Sequence, residues 1–254
     1  MTGRATSRGA VVSLPALVGL RTIVHSGRLQ SKGRVDGVGG INLSDTGRSE
    51  HLQSAFGAKS SQENAEVYDS WAEDYERRVL SWGYATPAVV SWFFGRYVQP
   101  SDGAAVLDAG AGTGIMGDVL SPLGYHDLTA IDISERMLDF ARNKGVYKDL
   151  REMELGGRLD FPDDAFVAVV STGVFTAGHA PPESFDELIR ATRSGGYMIF
   201  SVRTDVYEDG GFKEKQEALE REQKWRLVEL SEPFSPLRYE DPELKAQVFA
   251  YQVH

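Results

Sequence analysis

Three glycines at alternate positions, directly after a short apolar run, constrain this chain more than any other feature. Residues 104–117 read AAVLDAGAGTGIMG. Residues 105–107 read as a buried β-strand that Asp108 closes, and residues 115–120 start a helix. Gly110, Gly112 and Gly114 between them would be entropically expensive in an ordinary connection. A sharp turn with a ligand lying against its backbone explains them. The helix that follows points its free N–H groups at whatever fills the turn. After Gly124, residues 128–131 form a second apolar strand that ends in Asp132. An acid at that place, roughly 20 residues past the glycines, can accept hydrogen bonds from ribose hydroxyls. A nucleotide-like cofactor is therefore expected across this turn.

Composition sets the limits within which that cofactor must work. The chain has 254 residues, 41% of them hydrophobic, which suits one α/β domain with an appendage. Its net charge of −10 argues against a nucleic-acid backbone as partner. With no cysteine, disulfides, thiolate zinc sites and cysteine nucleophiles are excluded. No apolar run is long enough to span a membrane, and no membrane partner is expected. His25, His51, His126, His179 and His254 lie far apart without ligand spacing, so no metal is expected.

Residues 1–61 differ from the rest. Arg4, Arg8, Arg21, Arg28, Lys32 and Arg34 all precede the first acid, Asp36, among many Gly and Ser. Such a segment reads as a disordered extension, an overlong start, or a mitochondrial transit peptide, and residues 35–61 read as a linker. A cytoplasmic protein is the default expectation, with mitochondrial targeting as the alternative. Residues 62–254 are expected to form the globular domain. Tyr68, Trp71, Ala72, Tyr75 and Val79 keep one face of a first helix, with Asp69, Glu73, Asp74 and Glu76 on a solvated face. Strands are expected at residues 150–155, 166–171, 197–202, 225–230 and 246–253, and helices at 183–193 and 212–224. Alternation of strand and helix implies a parallel sheet covered on both faces. The last strand pair has no helix between, so it can be antiparallel.

The segments VYDSWAEDYERRVLSWGY, VLDAGAGTG, AIDISERML, FPDDAFVAVVSTGVF and RSGGYMIFSVR follow one another in an order that resembles the class I S-adenosylmethionine (SAM) methyltransferases. Residues 67–84 and Gly145-Val-Tyr147 resemble the methyltransferase-like proteins of the Williams–Beuren syndrome region type. The resemblance implies a Rossmann-like seven-stranded, mostly parallel sheet with an antiparallel last strand, helices on both faces, and SAM across the strand ends. It places Asp108, Gly110, Gly112 and Gly114 around the methionine moiety, Asp132 on the ribose, and Ile133 against the adenine. It further places Met137, Glu154 and Leu155 in the adenine pocket and Ser171, with Thr172 and Gly173, near the methyl group. Tyr68, Trp71 and Tyr75 match a helix that lids SAM. The glycines Gly112, Gly114 and Gly117 also satisfy the dinucleotide spacing. An NAD(P)-dependent oxidoreductase is therefore one rival, and a SAM-binding module without catalysis the other.

A hydroxyl acceptor needs a base, whereas an amine can do without one. His179, in FTAGHAPP just past the fourth strand, is the candidate base; Arg203, Asp205 and Tyr207 are candidates to line the substrate pocket. The acceptor is expected to be a small molecule, with a protein side chain second.

Overall fold

Seven strands make one sheet in the computed structural model, which describes residues 61–101 and 103–254. They are β1 (Val106–Ala109), β2 (Leu128–Asp132), β3 (Asp149–Glu152), β4 (Phe166–Phe175), β5 (Thr192–Arg203), β6 (Trp225–Leu230) and β7 (Ala246–Val253). Their order across the sheet is β3-β2-β1-β4-β5-β7-β6. The pairs β2–β3, β1–β2, β1–β4 and β4–β5 are parallel; β7 is antiparallel to both its neighbours. The sequence thus led to the right sheet, with its last strand reversed. The expected extension and linker at residues 1–60 lie outside the described residues.

The central strands are buried on both sides, and their residues alternate between two cores. Val169, Met198, Phe200, Phe249 and Tyr251 belong to one core; Ala168, Val170, Ile199, Val248 and Ala250 belong to the other. That is the period of two that a strand imposes on its side chains. Helices α5 (Ser184–Ala191) and α7 (Phe212–Arg221) supply Phe185, Leu188, Phe212 and Leu219 to the first core. Helices α2 (Thr86–Tyr97) and α3 (Ile115–Leu120) supply Val90, Phe93, Phe94, Met116 and Leu120 to the second. In the first core Phe185 has ring neighbours on several sides, its centroid 4.7 Å from Phe175, 4.8 Å from Phe200 and 5.2 Å from Trp225.

A third, smaller core covers the ends of the strands. Helix α1 (Ser61–Ser81) brings Trp71 and Val79, which pack with Trp82, Leu237 and Leu244. The β6–β7 loop is tied down there: Ala85 N–H donates to the Pro236 carbonyl at 3.0 Å, and Tyr239 N–H to that of Trp82 at 2.9 Å. The acidic face of α1 is not simply solvated, as its polarity suggested. Asp69 accepts from the Ser134 hydroxyl, Glu73 pairs with Arg136 at 2.6 Å, and Glu76 with Lys144 at 2.7 Å. Three acids at helical spacing meet complementary groups along α4 (Glu135–Lys144) and its N-cap, and so steer α1 across the sheet.

Several boundaries differ from the sequence expectation: β1 runs past Asp108 to Ala109, β4 runs past Ser171 to Phe175, the helix expected at 183–193 is shorter, and three more differ for a visible reason. β3 stops at Glu152 because its partner β2 ends there, Asp132 opposite Glu152. β5 begins at Thr192: the Ser194-Gly195-Gly196 turn is a bulge within the strand, between the pairs Phe166–Thr192 and Ala168–Tyr197. A Cβ at Gly196 would stand 2.7 Å from the Val167 carbonyl oxygen, so the bulge needs glycine there. α7 ends at Arg221, and Gln223 follows with φ of 56°, off the helical path. Among the described residues no helix is long and apolar enough to cross a membrane, and no group of three or more His, Cys, Asp or Glu could hold a metal.

Candidate active site

The sheet changes direction beside β1, whose neighbours β2 and β4 continue the chain on opposite sides. Open α/β sheets bind ligands in the crevice at the strand ends beside such a point. The glycine turn lies here and is pinned by backbone bonds: Gly110 and Ala111 N–H donate to the Ile131 carbonyl at 2.8 and 3.0 Å. A Cβ on Gly110 would lie 2.3 Å from Val174 Cγ2, and Gly110 has φ of +74°. Gly112 also has positive φ, yet a Cβ there would meet nothing within 4 Å. Its open side faces the crevice, which it lines together with Gly110.

Asp132 closes β2 and holds the turn from below. One carboxylate oxygen accepts from Gly112 N–H at 2.7 Å, the other from Ser134 N–H at 3.0 Å. Burial raises its pKa, these N–H donors lower it, and nearby Asp69 raises it further. Each carboxylate oxygen keeps lone-pair capacity for a ligand hydroxyl. Ser134 caps α4 by accepting from Met137 N–H at 3.0 Å.

Asp108 lies underneath, 1% exposed. One of its oxygens accepts from the Tyr147 hydroxyl at 2.6 Å, and that hydroxyl accepts in turn from Gly117 N–H at 3.0 Å. The other oxygen has no hydrogen-bond partner. Burial pushes this carboxyl up to about 7 against the pull of the Tyr147 hydrogen bond, and the Asp132 charge adds to the rise. A buried carboxylate oxygen without a donor is an acceptor for an ammonium group on a bound molecule.

A cavity of about 740 Å³, its mouth included, runs from this turn. At one end Asp132, Ile133, Met137, Met153, Glu154 and Leu155 form its wall; at the other stand Asn64, Tyr68, Tyr75, Thr172, Gly173, Val174 and His179. Of the residues expected from the sequence, the structure therefore brings together Gly110, Gly112, Asp132, Ile133, Met137, Glu154, Leu155, Tyr68, Tyr75 and His179. Asp108, Gly114, Ser171 and Trp71 do not line this cavity. Gly114 packs on Ala141 and Tyr147. Ser171 is buried and donates to the Ala109 carbonyl at 2.7 Å, joining β4 to β1. Trp71 lines a second chamber of about 610 Å³, which shares Tyr68, Tyr75 and Gly173 with the first. Arg203 lines that second chamber as well; Asp205 reaches it only as the ion-pair partner of Arg203, and Tyr207 packs on Phe249 instead.

At the junction of the chambers, Tyr68 Oη and His179 Nε2 are 2.8 Å apart, and His179 Nδ1 is 2.9 Å from the Ala177 carbonyl oxygen. A carbonyl can only accept, so Nδ1 carries the proton and Nε2 accepts from the Tyr68 hydroxyl. Burial holds His179 below its usual pKa, against the Ala177 bond and helped by the Arg203 charge. Burial first, then the Asp132 charge, hold the Tyr68 phenol above its usual value. The Tyr68–His179 pair was not legible in sequence, since 111 positions separate the two residues. Tyr147 was visible only as part of a shared segment; its bond to Asp108 is a tertiary fact.

Residues 107–200 match the family described as Methyltransferase domain. This segment is a methyltransferase domain. Over 156 residues the chain is 30% identical to Methyltransferase-like protein 27 of Homo sapiens, covering 61% of this chain and 63% of that protein. Over 139 residues it is 30% identical to malonyl-[acyl-carrier protein] O-methyltransferase of Erwinia pyrifoliae, covering 55% of this chain and 48% of that protein. The chain thus spans about half to under two thirds of the length of these relatives. Two solved structures share the fold. The [4+2]-cyclase SpnF aligns with a TM-score of 0.60 at 16% identity, over 77% of this chain and 97% of its own. A SAM-dependent methyltransferase from Thermotoga maritima aligns with a TM-score of 0.53 at 18% identity, over 74% and 98%.

SAM is the cofactor of this domain family, and the residues present fit it. Gly112 offers bare backbone, Asp132 has capacity for ribose hydroxyls, and Ile133, Met137, Met153 and Leu155 make an apolar slot for a base. The unpartnered oxygen of Asp108 suits a cationic amino group.

Proposed function

We propose that this chain is an active methyltransferase that moves the methyl group of SAM onto a small molecule. The observation that carries the reading is the meeting of two chambers at Gly173, Tyr68 and Tyr75: one lined by the glycine turn and Asp132, the other by aromatic side chains. When bound, SAM supplies a methyl group on a positively charged sulfur, a ready electrophile. The chain's residues do the rest. Gly110, Gly112 and Asp132 would hold the cofactor, and Ile133, Met137 and Leu155 would flank its adenine. α1, fixed by its bonds to α4, lines the cavity with Asn64, Tyr68 and Tyr75 and would restrict water there, so the protein's contribution is chiefly orientation.

Relatives named for phosphatidylethanolamine, malonyl-acyl carrier protein and demethylmenaquinone support a small or lipid-like acceptor; one named for 18S rRNA stands against it. The net charge of −10 weighs against the RNA reading. The match of residues 107–200 to a methyltransferase domain weighs against the oxidoreductase rival. Incubation with methyl-labelled SAM and a broad panel of hydroxyl, amine and thiol acceptors tests the proposal. Label transferred to a small molecule is the expected result; cofactor binding with no acceptor labelled would favour the non-catalytic module.

A further inference from the structure

We propose that the second chamber is the acceptor site, that it takes a one- or two-ring hydroxyarene, and that Tyr68, backed by His179, receives the proton the acceptor hydroxyl gives up. This rests on the methyltransferase reading above, and two separate features lead to it.

The first is the chemistry of the walls. Trp71, Trp82, Tyr84, Phe175, Leu237 and Leu244 present rings and aliphatic groups. Such surfaces favour flat apolar rings, which stack or meet them edge-on. Among the described residues no carboxylate lines the chamber, so they offer a cationic amine no partner in it. The one charged side chain among the described lining residues, Arg203, is paired with Asp205 and donates to the Thr176 hydroxyl at 2.8 Å. A neutral ring is therefore the best match.

The second is the proton path. Tyr68 stands on the wall common to both chambers, its hydroxyl on His179 Nε2 at 2.8 Å. His179 Nδ1–H is tied to the Ala177 carbonyl, which fixes the tautomer with Nε2 as acceptor. Burial keeps Tyr68 a phenol and His179 a neutral imidazole, the state from which a relay starts. In the step, the acceptor oxygen forms its bond to the donated methyl carbon while the methyl–sulfur bonding pair stays on sulfur. The hydroxyl proton goes to Tyr68 Oη as Tyr68's own proton goes to His179 Nε2. One proton thus ends on the imidazole, which the nearby Arg203 charge then disfavours, easing its release.

The test uses the full chain, S-adenosylhomocysteine and 2-naphthol as probe. Calorimetry first measures S-adenosylhomocysteine binding; its failure would overturn the methyltransferase reading and this proposal together. On the loaded protein, saturation-transfer NMR should show 2-naphthol bound. The signal should vanish in Leu244→Trp, or in Leu237→Trp if the former misfolds, with S-adenosylhomocysteine affinity kept within about twofold. Absent 2-naphthol binding, or binding unchanged in a folded filled variant, would overturn the acceptor site alone. For the relay, Tyr68→Phe and His179→Gln should each slow 2-naphthol methylation about a hundredfold. The deficit should shrink to a few-fold with 4-nitrophenol, which is already ionised near neutral pH. Equal deficits with the two phenols would mean a merely structural role and would overturn the relay.

Discussion

Asp132→Ala separates a cofactor-binding acid from a merely structural one, because this carboxylate holds two backbone N–H groups and is proposed to hold the cofactor ribose as well. Its two oxygens hold Gly112 N–H at 2.7 Å and Ser134 N–H at 3.0 Å. Hydrogen bonds to a charged acceptor are worth about 1.5–3 kcal/mol each when lost without replacement. Asp132 is only half-buried, so water can take over part of the loss. A destabilisation of about 2 kcal/mol without ligand follows, or about 4–8 °C in melting temperature for a domain of this size. A strand-tip acid facing an open cleft looks free of such a role in sequence; the two N–H bonds correct that view. Cofactor binding should fall further. Two charge-assisted bonds to ribose hydroxyls are worth about 3 kcal/mol together, about a hundredfold in Kd. Ribose contacts are the same in ground and transition states, so KM for SAM should rise more than kcat falls. Calorimetry with SAM and S-adenosylhomocysteine, beside thermal melts of the free protein, reads both effects. Unchanged affinity in a folded Asp132→Ala protein would refute the reasoning.

Three further predictions follow from the same geometry. Gly112→Ala should fold, at about 1 kcal/mol for its positive φ, yet bind SAM at least tenfold more weakly, because its Cβ enters the crevice; calorimetry showing intact affinity would contradict this. The carboxyl of Asp108 is raised from 3.8 to about 7, so its stabilising contribution is full below pH 3.8, declines as pH rises, and is gone above about 7. Asp108→Asn removes that decline, and urea melts should show the variant gaining about 2 kcal/mol on wild type between about pH 5 and pH 8. Phe185, fully buried among Phe175, Phe200 and Trp225, should lose about 4 kcal/mol on truncation to Ala, read by denaturant unfolding; a loss below about 1 kcal/mol would mean the core collapses around the gap.

What was legible in the sequence was local. Three alternate glycines between two apolar strands, with an acid closing each strand, specified the turn, and the structure puts Gly110, Gly112 and Asp132 on one cavity. Strand burial was legible because runs such as Phe166–Ser171 are apolar on both faces. Features made by distant partners were hidden. The acids of α1 read as solvated because Arg136 and Lys144 lie on another helix. Ser171 sits at a strand tip in sequence, but its hydroxyl is taken by the Ala109 carbonyl. The second chamber joins α1, β4, β5 and the loop before β7, and no spacing rule links those segments.

The central claim is that the glycine turn and Asp132 hold an adenosyl cofactor with the methyl donor directed at the second chamber. Calorimetry of the full chain with SAM, S-adenosylhomocysteine and NAD in turn tests it most directly. The account predicts saturable one-to-one binding of both adenosyl sulfur compounds and none of NAD. Tight NAD binding with no heat from either sulfur compound would contradict it.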